Sequence, residues 1–172
     1  YGMNITKRSE PKMLFTITPQ GISSTTPGVS STAGFTRLGQ IWSKPVAAKI
    51  RLTKGSDPKK NAAPTDVLIF GGGYDMQYET DGYVATTSAP AKGNAIYMIN
   101  AKTGKLIWST SSEGASGVNV KTDTMINSIT GGITVLDRDN DGLMDHLYAA
   151  DLGGQVFRAD FENARIAQFG FT

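Results

Sequence analysis

Apolar residues along this chain come in short runs of about four to eight, rich in β-branched and aromatic side chains and closed off by Gly, Pro, Asn and Asp. Runs of that length and punctuation predict strands. They fall at Met13–Thr18, Pro45–Ile50, Asp66–Gly73, Gly93–Asn100, a stretch ending at Trp108, Gly131–Leu136, His146–Ala150 and Gly153–Asp160. Few apolar runs follow the spacing of a helix. Twenty glycines and seven prolines supply the turns that many short strands need, so the fold class is all-β.

The strand pattern repeats. Asp66-Val67-Leu68-Ile69-Phe70-Gly71-Gly72-Gly73 is echoed by Asp145-His146-Leu147-Tyr148-Ala149-Ala150-Asp151-Leu152, and Gly93 to Asn100 by Gly153 to Asp160. A further strand precedes each pair, at Pro45–Ile50 and at Gly131–Leu136. Each unit reads as strand, loop, strand, Gly-rich turn, strand and a turn into a fourth strand. A repeating four-stranded antiparallel unit is the sequence signature of a propeller blade. One partial β-propeller domain over 1–172 is expected, with a first blade region at about 12–110 and a second blade at about 126–169. Stretches 20–36 and 75–92 read as insertions in the first. Met13–Thr18 reads as the last strand of a preceding blade. A propeller closes with at least about four blades, so two clear units predict an incomplete ring, completed by the rest of a longer chain or by other copies.

The two units differ in their loops, where function is expected. Between its first two strands, one unit carries the Lys-, Asp- and Pro-rich stretch Thr53 to Thr65. The other carries Asp137-Arg138-Asp139-Asn140-Asp141-Gly142-Leu143-Met144-Asp145. Carboxylates occupy positions 1, 3, 5 and 9, with glycine at 6. Two unit charges about 4 Å apart repel by roughly 4 kcal/mol at an effective dielectric of 20. A hard cation relieves that repulsion: calcium takes six to eight oxygen ligands, which alternate carboxylates and a backbone carbonyl can supply. The pattern points to a Ca2+ loop built on Asp137, Asp139, Asp141 and Asp145. It is not an EF-hand, because position 12 is Tyr148 where a bidentate Glu would close the site, and strands flank it where helices would. An acidic solvated turn is the plainer alternative.

Composition excludes several classes. There is no cysteine, hence no disulfide, thiolate metal site or cysteine nucleophile. No apolar stretch approaches the 18 or so residues of a membrane-spanning helix. Residues 1–62 carry ten Lys/Arg against Glu10 and Asp57, whereas 63–172 carry seven against thirteen acidic residues. The basic residues are scattered without aromatic interleaving, so a solvated face is expected rather than a nucleic-acid site. His146, the sole histidine, has no nucleophile or partner carboxylate in register and reads as a strand-edge residue. Gly71-Gly72-Gly73 lacks the Gly-Lys-Ser/Thr of a phosphate loop and reads as a blade turn. Asp75, Glu79 and Asp81 form a loose acidic group without the alternating ligand pattern.

Trp42-Ser43-Lys44-Pro45-Val46, Phe70-Gly71-Gly72-Gly73-Tyr74-Asp75, Gly93 to Trp108 and Asp137 to Phe161 together resemble the C-terminal propeller of the PilC/PilY family, the type IV pilus tip-associated proteins. The resemblance covers roughly 12–161, skips both insertions, and has Ala150 where the family commonly has glycine. It implies a calcium site on the side chains of Asp137, Asp139, Asp141 and Asp145 and the carbonyl of Leu143. It also implies a secreted, surface-exposed or outer-membrane-associated protein exported through the periplasm. Its partners would be minor pilins or a host or abiotic surface, with calcium setting the balance of pilus extension and retraction, adhesion or twitching motility. Such a module is not an enzyme. Ala101-Lys102-Thr103-Gly104-Lys105 with Trp108 resembles the quinoprotein-type propeller repeat. Part of a quinone-cofactor (PQQ-type) dehydrogenase is therefore a second expectation, and a purely structural propeller stapled by calcium a third.

Overall fold

The computed structural model describes residues 1–27, 30–31, 34–51, 63–113, 119–161 and 170–171. They form three sheets. The first contains β1 (Gly2–Asn4), β2 (Lys12–Thr18), β3 (Gly21–Ser24) and β4 (Ser30–Ser31) in that order. The second contains β5 (Val46–Arg51), β6 (Pro64–Gly71), β7 (Ala95–Asn100), β8 (Leu106–Ser111) and β9 (Asn119–Lys121). The third contains β10 (Thr134–Leu136), β11 (His146–Ala150), β12 (Val156–Asp160) and β13 (Gly170–Phe171). Consecutive strands pair antiparallel throughout, except that β9 joins β8 in parallel. Among the described residues no sheet closes into a barrel, and the three open sheets match propeller blades.

The middle sheet has no free face along β6 and β7, and the side chains show why. Side chains on a strand point alternately to opposite faces. Val67 and Ile69 of β6, with Ile96 and Met98 of β7, pack into a cluster shared with Leu147, Ala149, Phe157 and Ala159 of the third sheet. Their sequence neighbours Phe70, Ala95, Tyr97 and Ile99 pack into a second cluster with Phe15 and Ile22 of the first. Burial on both faces explains the nearly unbroken apolar runs in these two strands. Trp108, 1% exposed, meets the Phe161 ring edge-on at 5.4 Å and so fills the seam between the second and third sheets.

The expected strand order holds in both predicted units, with ends displaced by up to three residues. The first unit gains β9, and the N-terminal part differs more. Met13–Thr18 lies at the second position of a complete sheet rather than at the end of a preceding one. β3 and β4 fall within the 20–36 stretch read as an insertion. The cause is a tight turn at Gly21, whose φ of 136° folds β3 back on β2. Thr53 to Ala62 of the charged stretch and residues 162–169 of the last predicted blade lie outside the described residues.

The glycine turn at 71–73 has a packing reason. Gly72 N–H donates to Ala95 O at 2.7 Å, Gly73 N–H to Ile129 O at 3.0 Å, and Gly39 N–H to Gly72 O at 2.8 Å. At Gly93 (φ 76°) an added Cβ would fall inside the carbonyl of Gly73. Only glycine allows backbones this close.

Candidate metal centre

The acidic loop is the hairpin connection between β10 and β11, which pair through Leu136 and His146. Two residues turn it: Asn140, with φ 62°, and Gly142, with φ 84°. Asn140 is the one non-glycine residue with positive φ among those described, and asparagine is among the few side chains that tolerate it. Nothing lies within 4 Å of a Cβ built at Gly142, so glycine is required there by conformation alone.

Backbone amides orient all four carboxylates. Gly142 N–H donates to Asp137 Oδ2 at 2.8 Å and Arg138 N–H to Asp145 Oδ2 at 2.7 Å. Asp141 N–H donates to Asp139 Oδ1 at 3.2 Å, and Leu143 N–H to Asp141 Oδ1 at 2.7 Å. The result gathers Asp137, Asp139 and Asp145: one carboxylate oxygen from each lies within 4.8 Å of the others. Asp141 is not part of that group. Leu143 turns its side chain into the protein, 3% exposed. Asp137 Oδ1 is buried and has no hydrogen-bond partner. An unpartnered buried carboxylate oxygen is costly, and a cation would satisfy it. The donor set is all oxygen and anionic, which suits a hard cation.

The loop is tied down at its C-terminal end. Met144, 3% exposed, packs into the cluster between the second and third sheets, and its N–H donates to Lys49 O of β5 at 2.8 Å. Asp145 N–H donates to Leu136 O, and Asp145 O accepts from Phe161 N–H at 2.7 Å. One prospective ligand therefore sits on backbone shared with the strand ladder and with the Phe161 that touches Trp108.

Next to it, His146 and Asp160 are cross-strand partners, with Nδ1 and Oδ1 2.6 Å apart. Arg158 clamps the same carboxylate through Nε (2.7 Å) and Nη2 (3.0 Å). Burial works to raise the Asp160 pKa, but the hydrogen bonds and charges of Arg158 and His146 outweigh it and hold the carboxyl below the ordinary range. His146 is 7% exposed, and its described partners are structural. Sequence reading missed Asp160 because a cross-strand partner 14 residues away appears only once the hairpin register is known. Two members of the loose acidic group at 75–81, Asp75 and Glu79, have protein partners. Asp75 accepts the N–H groups of Gln77 and Lys92, at 2.9 and 2.6 Å, and Glu79 accepts the Tyr74 hydroxyl at 2.6 Å.

Fold and site together define a segment of a propeller-like all-β domain bearing an acidic hairpin loop. Among solved structures, the C-terminal domain of Pseudomonas aeruginosa PilY1 is similar. It shares 21% identity and a TM-score of 0.51, over 92% of this chain and 23% of that one. The chain has the fold of part of that domain and spans under a quarter of its length. No family model and no curated protein matches the sequence.

Proposed function

We propose that this chain is part of a type IV pilus tip-associated protein of the PilC/PilY kind, in which the 137–145 loop takes calcium and regulates pilus extension and retraction or surface attachment. One observation carries the metal reading: three carboxylates converge within 4.8 Å of one another, and one of them, Asp137, has a buried oxygen with no hydrogen-bond partner. The pilus context rests on the fold shared with the PilY1 C-terminal domain and on the residue pattern from Leu136 to Phe161. Asp137, Asp139 and Asp145 supply the gathered ligands. The free oxygen of Asp141 and the Leu143 carbonyl complete the shell as the loop tightens, because six to eight oxygens are needed. The module is non-enzymatic and acts at the cell surface, on minor pilins or on a host or abiotic surface.

The chemistry is repulsion and its relief. Without the ion the carboxylates push the hairpin open; with it the loop is a fixed surface feature. Isothermal calorimetry of the 172-residue chain with calcium, with magnesium as control, tests this. Saturable calcium binding lost in Asp145→Ala is the expected result. Absence of heat and of any thermal shift at millimolar calcium reduces the loop to an acidic turn. The staple-only alternative predicts that calcium changes stability and leaves partner binding untouched. The quinone-dehydrogenase alternative predicts tight quinone binding by the full-length protein.

A further inference from the structure

Away from the acidic loop, four aromatic rings form a row. The Trp42 indole lies nearly parallel to the Tyr74 ring, with centroids 4.6 Å apart and planes 23° from each other. Tyr74 continues to Tyr78 at 5.7 Å, and Tyr78 meets Tyr83 edge-on at 5.1 Å. Trp42 is 65% exposed, against 1% for Trp108. One face of the indole is backed by Tyr74, and most of its surface is open to water.

The row is held rigidly. Tyr74 exchanges both backbone hydrogen bonds with Gln40, two residues before Trp42, at 2.9 and 2.8 Å. Asp75, 5% exposed, caps the single 3-10 turn Met76–Glu79 through Gln77 N–H and also takes Lys92 N–H, closing the insertion at both ends. The Tyr78 hydroxyl donates to Asn127 Oδ1 at 3.0 Å. Rings so fixed lose little freedom when a ligand settles on them.

The rim is polar and acidic. The Tyr74 hydroxyl donates to Glu79 Oε1 at 2.6 Å. That bond, with burial and the Glu79 charge, pushes the phenol up to about 12, and the hydroxyl, a donor at neutral pH as in any tyrosine, aims the carboxylate. Gln77, Glu79 and Asp81 are all exposed.

We propose that the open face of Trp42, backed by Tyr74 with Glu79 held at the Tyr74 hydroxyl, binds a pyranose residue of a neutral glycan. A pyranose presents a face of C–H bonds, weakly positive, to the negative face of an indole, and hydroxyls around its edge to a carboxylate acceptor. Phosphate-rich or acidic ligands meet the Glu79 carboxylate instead. A proline-rich peptide stacks on such rings too, but proline has no N–H to offer the carboxylate. The site is independent of the calcium reading.

The test is a glycan array of neutral and acidic oligosaccharides probed with the 172-residue chain, followed by titration of the retained sugar against tryptophan emission. Trp42 is the responsive fluorophore and Trp108 the buried reference. Retention on neutral pyranose glycans is expected, with a saturable blue shift. Trp42→Ala should weaken binding by at least about tenfold, a 1.4 kcal/mol change, and Glu79→Gln by a smaller factor. Both side chains are exposed, so both variants should melt as the parent does. Four results would overturn the proposal: no neutral glycan retained, retention confined to acidic glycans, equal retention by Trp42→Ala, or an emission shift produced by a polyproline peptide alone.

Discussion

At the scale of single residues, Gly142 and Asp160 make the sharpest predictions. Gly142 has open space where a Cβ would go and a φ of 84°. Gly142→Ala should therefore cost about 1–2 kcal/mol through backbone conformation and not through a clash. Calcium affinity measured by calorimetry should fall with it, since the turn gathers the carboxylates. Asp160 titrates below an ordinary aspartate when folded. A depressed folded pKa contributes stability that is present above the unfolded value and lost as pH falls through the folded one. Acid unfolding followed by circular dichroism should show a parent curve falling steeply below roughly pH 4 and a flatter one for Asp160→Asn. Equal slopes would remove the Arg158–Asp160–His146 cluster from the account of stability.

At the scale of elements, strands were legible in the sequence because their apolar runs are short and bounded by turn residues. β11 falls on His146–Ala150 as expected, and the acidic loop sits in the predicted hairpin. The spacing of Asp137, Asp139, Asp141 and Asp145 with glycine at position 6 made the segment legible as an acidic hairpin loop. Which three converge was not: Asp137, Asp139 and Asp145 are gathered and Asp141 is left out, an outcome of backbone geometry that spacing does not encode. The Trp42–Tyr74 stack was hidden for a related reason, because the two rings are brought together by an isolated bridge between Gln40 and Tyr74, 34 residues apart. β3 was hidden by composition, its serines and glycine reading as loop. The seam between the second and third sheets can be tested directly. Trp108→Ala removes a ring packed edge-on against Phe161 and should cost about 3–5 kcal/mol in urea unfolding. A loss under 1 kcal/mol would mean that the seam is loosely packed.

At the scale of the whole molecule, the candidate ligand Asp145 is bonded through its backbone to Phe161, and Met144 reaches Lys49 in the neighbouring sheet. Ion binding should thus be felt beyond the hairpin. At a hundredfold excess over Kd a ligand specific to the folded form adds about 2.7 kcal/mol, or roughly 5–10 °C in Tm for a chain of this size. Differential scanning calorimetry with and without chelator should show that shift, and hydrogen exchange should slow at Met144 and Phe161 as well as in 137–145. Protection confined to the loop would show that the neighbouring sheet does not sense the ion.

β6 and β7 use alternate side chains for two different neighbours, Ile96 and Met98 on one side and Tyr97 and Ile99 on the other. Deleting one residue from β7 would exchange the two sets and misfit both interfaces together, because the side-chain period is two. The loops bear no such constraint. Over evolutionary time, length change in chains of this kind should therefore accumulate between the strands of the middle sheet and almost never within them. The 74–92 excursion, with its aromatic row, is the sort of addition such a scaffold accepts without loss of register.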